Sequence, residues 1–73
     1  MLRERSVVYS PEELSLLGDI FDQAVASIPP AMRTRINRTQ IARNILERAA
    51  VGERDPIELE LAACVNLIVT AAA

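Results

Sequence analysis

Three sets of side chains in this 73-residue chain could do chemistry: one thiol at Cys64, carboxylate pairs at Glu12/Glu13 and Asp19/Asp22, and five arginines between residues 33 and 48. A thiol becomes a nucleophile when a base or a nearby cation lowers its pKa. The chain has no histidine, which removes the commonest general base and the commonest transition-metal ligand. At helical spacing the neighbours of Cys64 are Leu61 and Ile68, an apolar setting that makes a thiol inert. It reads as a structural cysteine, and a single cysteine closes no internal disulfide.

The carboxylate pairs could hold a hard cation, but no EF-hand-like loop spacing accompanies them. Glu12 and Glu13 suit the first turn of a helix, where the macrodipole favours acids. Asp19 and Asp22 suit an exposed helix face. Neither a Gly-rich phosphate loop nor a Ser/His/Asp set occurs. The expectation is a protein that is not an enzyme, with no catalytic residue, cofactor or metal site.

The arginines could contact phosphates. The candidate basic patch is Arg33, Arg35, Arg38 and Arg43, and "NRTQIARNIL" (37–46) has the look of a helix in a helix-turn-helix. Such a motif reads bases with the N-terminal residues of its second helix. In the helix that comes next, these are Glu58 and Glu60, which phosphates repel. The connection "VGERDP" is also longer than the usual tight turn of about 3–4 residues. The chain has no lysine and a formal net charge of −2. Nucleic acid is therefore an alternative reading, not the leading one.

The elements behind these side chains are helices. The apolar share is 51%, yet only Tyr9 and Phe21 are aromatic and only two residues are glycine, so the core must be Leu, Ile, Val and Ala. In "YSPEEL" (9–14), Ser10 caps, Pro11 takes the first position, Glu13 closes a capping box, and Tyr9 and Leu14 form the hydrophobic staple. In "INRTQI" (36–41), Asn37 is the cap, Gln40 the box partner, and Ile36 and Ile41 the staple. In "DPIE" (55–58), Asp55 caps and Glu58 closes the box. Pro29 and Pro30 stop the first helix, "PPAMR" (29–33) adds a short turn, and Gly52 ends the second helix in the left-handed region. The spacing predicts three helices, at 11–27, 38–51 and 56–71.

The 3.6-residue period assigns their faces. In the first helix the stripe is Leu14, Leu17, Phe21, Ala24, Val25 and Ile28, widened by Leu16 and Ile20. In the second it is Ile41, Ala42, Ile45, Leu46 and Ala49, with Arg43 and Glu47 facing out. In the third it is Ile57, Leu61, Cys64, Val65 and Ile68, with Leu59, Leu67 and Val69 lying off it. A domain this small is marginally stable unless something assists it. With no disulfide or metal to help, the apolar surplus predicts a homodimer through Leu16, Ile20, Leu59, Leu67 and Val69.

Charge is segregated along the chain. Residues 11–28 carry four acids and no base, residues 29–48 carry a net +4, and residues 49–73 a net −3. "MLRERSVVYS" lacks the apolar stretch of a signal peptide, and the 13-residue run "LAACVNLIVTAAA" is short of the roughly 20 residues of a membrane span. A cytoplasmic protein is expected. "NRTQIARNIL" followed by "GERDPIELELAA" resembles a family of short bacterial all-helical proteins to which no activity is attached. That resemblance covers about residues 10–70 and implies a bacterial setting without implying any site residue.

The expectation is an all-α domain over residues 10–73 behind an N-terminal arm of residues 1–9. Its function would be that of a non-catalytic protein–protein interaction module, a homodimeric adaptor or regulator. A nucleic-acid-binding regulator and an accessory subunit of an enzyme complex are the alternatives.

Overall fold

A computed structural model describes residues 9–69. The expected N-terminal arm, except Tyr9, lies outside these residues, as do residues 70 and 71 of the expected third helix. The fold is all-α, with three helices: α1 (Pro11–Ser27), α2 (Arg35–Ala50) and α3 (Pro56–Ala63), and a 3-10 turn at Pro30–Met32. Each helix packs against the other two.

α1 begins as its sequence dictates. The Glu13 amide donates to Ser10 Oγ at 3.1 Å, and the Ser10 amide donates to Glu13 Oε1 at 2.9 Å. These bonds satisfy donors that a helix start leaves open. α2 ends in a Schellman arrangement: the Gly52 amide donates to the Ala49 carbonyl and the Glu53 amide to the Arg48 carbonyl, with Gly52 at φ 101°.

The start of α2 differs from the expectation. Thr34 is the cap, its Oγ1 accepting from the Asn37 amide at 3.2 Å. Asn37 lies inside the helix and is fully buried, and Gln40 donates to Asn44 Oδ1 instead of closing a box. Ile36 is exposed and lies inside the helix, not before its cap where a staple residue stands. At α3, Asp55 caps by accepting from the Ile57 amide, but its own amide donates to Glu53, not Glu58.

α3 is the larger correction. It stops at Ala63, eight residues short of the expected end. The chain turns at Asn66, whose φ of 60° is left-handed, a conformation asparagine tolerates well. Two buried asparagines on α2 hold the segment beyond the helix. Asn44 Nδ2 donates to the carbonyls of Ala63 (2.7 Å) and Val65 (2.9 Å). Asn37 Oδ1 accepts the Ile68 amide at 2.7 Å, while its Nδ2 donates to the Ile68 and Met32 carbonyls, both at 2.8 Å. Residues 64–69 thus exchange helical hydrogen bonds for side-chain ones, and Leu67 packs on the core.

The core comprises Leu17, Ile20, Ala24 and Ile28 of the first helical segment, Ile41, Ile45 and Ala49 of α2, and Leu59 and Ala63 of α3. The face of α3 is therefore opposite to the expected one. Leu59 is fully buried, whereas Ile57 and Leu61 are each 68% exposed. Positions 57 and 61 lie on the same side of the helix, and 59 lies across from them. Leu14 and Leu46, also expected inside, are exposed.

Candidate functional site

The expected interface residues do not form one surface. Ile20 and Leu59 belong to the chain's own core and have no area to offer a partner. Leu16 and Leu67 are partly buried against that core, and of the five only Val69 is exposed. The reason is the early end of α3, which turns its buried face to Leu59 and brings Leu67 back onto the bundle.

The four basic residues also separate. Arg33 caps the C-terminus of α1: Nε donates to the carbonyls of Val25 (3.0 Å) and Ile28 (3.1 Å), and Nη2 to that of Ala26 (3.1 Å). A cation at a helix C-terminus also suits the dipole. Arg35 and Arg38, one turn apart on α2, line a common concavity of about 460 Å³ with Phe21, Thr39 and Ala42. Arg43 is exposed and is not part of that lining.

A second concavity, about 220 Å³, continues from the first and shares Phe21 and Ala42 with it. Its walls are Leu14, Leu17 and Gly18 of α1 and Ile45 and Leu46 of α2. Together they make one groove along the α1/α2 seam, apolar at one end and carrying two guanidinium groups at the other. Leu14 (55% exposed) and Leu46 (47% exposed) stand at the apolar end.

Gly18 is the unusual residue of this groove. It sits inside a helix, where glycine costs about 0.5–1 kcal/mol relative to alanine. Its φ is not positive, and a Cβ at this position would meet nothing within 4 Å. The chain itself therefore has no use for a glycine there. The sequence does contain the signal, a glycine amid the apolar run "LSLLGDIF", but its outward direction shows only once the faces are assigned.

At the opposite end of α1, Arg54 draws three segments together. Its Nε meets Glu13 Oε2 at 3.1 Å, its Nη1 donates to the Ala49 and Glu53 carbonyls, and its guanidinium carbon lies 5.5 Å from the Tyr9 ring centroid. Glu13 thus accepts the Ser10 amide and faces Arg54, and both hold its carboxyl below the ordinary glutamate pKa. That employs one member of the Glu12/Glu13 pair structurally. Asp19 and Asp22 are exposed. Among the described residues no group of three or more His, Cys, Asp or Glu side chains comes together to hold a metal. Cys64 is only partly buried; its thiol lies 3.8 Å from the Ala24 carbonyl and 3.9 Å from Ser27 Oγ.

No helix among the described residues is long and apolar enough to cross a membrane. No protein-family model, curated protein or solved structure matches the chain.

Proposed function

We propose that this chain is a small non-catalytic helical interaction module of the cytoplasm, working as a homodimer and serving as adaptor or regulator of another protein. The observation that carries the reading is the α1/α2 groove, with its exposed Leu14 and Leu46, its notch at Gly18 and its two arginines. Apolar surface beside fixed charge suits recognition of a protein surface, area supplying affinity and charge supplying selectivity. A separate exposed ridge on α3, Ile57 and Leu61, leaves a second surface for a partner once the first is covered.

Size exclusion with light scattering tests the reading. At tens of micromolar the expected mass is twice the 8.0 kDa of the chain; a mass near 8.0 kDa with cooperative melting overturns the homodimer.

Arg35 and Arg38 in one concavity also support the second reading, a nucleic-acid-binding regulator. The formal net charge of −2 weighs against it, as does the engagement of Arg33 with α1. Binding through phosphates fades steeply with salt. Loss of heparin and DNA retention by about 150 mM salt fits the interaction module, and a sequence-specific complex surviving that salt supports the regulator.

A further inference from the structure

We propose that a second copy of this chain seats in the α1/α2 groove, related by a two-fold axis parallel to the two helices, with Asp22 of each protomer meeting Arg35 and Arg38 of the other. The proposal rests on the homodimer reading and gives it a surface, an axis and a charge pair.

The groove itself defines the levels. Phe21 shares one concavity with Arg35 and Arg38, and the Leu14–Phe21 stretch shares the other with Ala42–Leu46. Rising numbers on α1 thus meet falling numbers on α2, and the two helices run antiparallel. Rotation about an axis parallel to them preserves the level of each residue and places α1 of one copy over α2 of the other. Leu14 then faces Leu46 of the partner subunit, and Gly18 faces Ala42 of the partner subunit. The missing side chain at Gly18, where a Cβ would touch nothing in its own chain, lets the second helix come close.

Charge selects this axis. Asp22 adjoins Phe21 and is exposed, so it stands at the level of the two arginines. The ion pairs among the described residues are Arg48–Glu53 and Arg54–Glu13, and neither draws on Asp22, Arg35 or Arg38. A two-fold axis across the helices would instead oppose α1 to α1, and α1 carries Glu12, Glu13, Asp19 and Asp22 with no base. The α3 ridge suits a second copy less well: an axis parallel to α3 sets Asp55 and Glu58 beside their own copies, an axis across it brings Glu58 near Glu60 of the partner subunit, and α3 itself carries no base. Like charges across an interface disfavour it.

Charge-swap variants examined by sedimentation equilibrium test the proposal. All substituted positions are on the exposed surface or open groove, and the melting curve of each variant checks that it folds. Asp22→Arg alone and Arg38→Asp alone are each expected to weaken the dimer by about tenfold or more, since each turns two symmetry-related attractive contacts into like-charge ones. Their equimolar mixture regains wild-type affinity as a one-to-one heterodimer, which native mass spectrometry identifies. Gly18→Gln fills the notch and abolishes association, whereas Leu61→Glu leaves it unchanged. If the mixture stays monomeric while wild type dimerises, the axis is wrong. If Leu61→Glu dissociates the dimer and Gly18→Gln does not, the groove is wrong and the homodimer reading stands. A monomeric wild type overturns both.

Discussion

Replacing Asn37 by alanine tests the feature that most shapes this fold. Asn37 is fully buried, and its amide makes three hydrogen bonds of 2.7–2.8 Å, two to Ile68 and one to the Met32 carbonyl. A net value of roughly 0.5–1.5 kcal/mol for each puts the loss at about 1.5–4.5 kcal/mol. Two terms reduce it. Ile68 is 56% exposed, so water can rehydrate its backbone groups once the segment lifts. Alanine also has the better helix propensity, by up to about 0.7 kcal/mol. Subtracting the propensity term leaves about 1–4 kcal/mol, and the destabilisation expected is about 2 kcal/mol. At roughly 4–8 °C per kcal/mol for a domain this size, Tm should fall by at least about 8 °C, read by circular dichroism.

A helix cap is worth about 1 kcal/mol, so the order of effects separates the two roles. Asn37→Ala should exceed Thr34→Ala by about twofold or more, because Thr34 is the cap and Asn37 is not. The Ile68 amide, which donates to Asn37 Oδ1 in the native chain, should exchange faster in Asn37→Ala than in wild type. Asn37→Asp should be worse still at neutral pH, since a carboxylate oxygen would face the Met32 and Ile68 carbonyls. A Tm change below about 4 °C for Asn37→Ala, with Ile68 still protected, would refute the role given to the amide.

The packing leads to three further outcomes. Leu59→Ala should cost about 2–5 kcal/mol in a urea titration, as a buried core truncation does, while Leu61→Ala should stay within about 0.5 kcal/mol; equal effects would mean that the face of α3 is misassigned. Gly18→Ala should raise the stability of the Asp22→Arg variant, where self-association is weakened, by roughly 0.5–1 kcal/mol, and destabilisation there would show that the chain itself needs the glycine. The lowered pKa of Glu13 means that its stabilising contribution is complete above the ordinary value of 4.5 and is lost as pH falls below it. The Tm gap between wild type and Glu13→Gln should therefore narrow as pH falls below 4.5, and a constant gap would contradict this origin.

What the sequence makes legible is local. Ser10 and Glu13 stand three residues apart with Pro11 between them, and nothing distant is needed to start a helix there. The same holds for Gly52 after α2. Asn37 defeats a local reading because Thr34 and Asn37 both offer a cap, and the choice depends on burial, a tertiary quantity. The clue is its spacing: Asn37 precedes Ile41 by four and Asn44 by seven, so both asparagines fall on the core face of α2. Amides in such positions need buried partners, and most of those here are backbone groups of residues 63–68. That demand overrides the helical propensity of "LAACVNLIV", reverses the apparent face of α3, and so moves Ile20, Leu59 and Leu67 out of the expected interface. The groove is invisible for a related reason: its Leu14 and Leu46 satisfy the same period as the core stripe, and only the position of the third helix decides which apolar residues it covers.

The brevity of α3 explains why the α1/α2 groove stays open. Eight residues give little more than two turns, and their inward positions, Leu59 and Ala63, reach only the side of the α1/α2 pair that already holds Ile20, Ala24, Ile41 and Ile45. The segment tied down by Asn37 and Asn44 extends that cover, with Leu67 added to the same core. No described element crosses to the seam lined by Leu14, Gly18, Phe21 and Leu46. The apolar area left there and the charges beside it have different consequences. Area alone would favour any greasy surface, whereas two arginines level with an aspartate on the adjoining helix favour a surface in which acid and base are exchanged side for side. A two-fold copy of this chain has that property by construction, which is why charge reversal followed by mixing probes the assembly more sharply than truncation of its leucines.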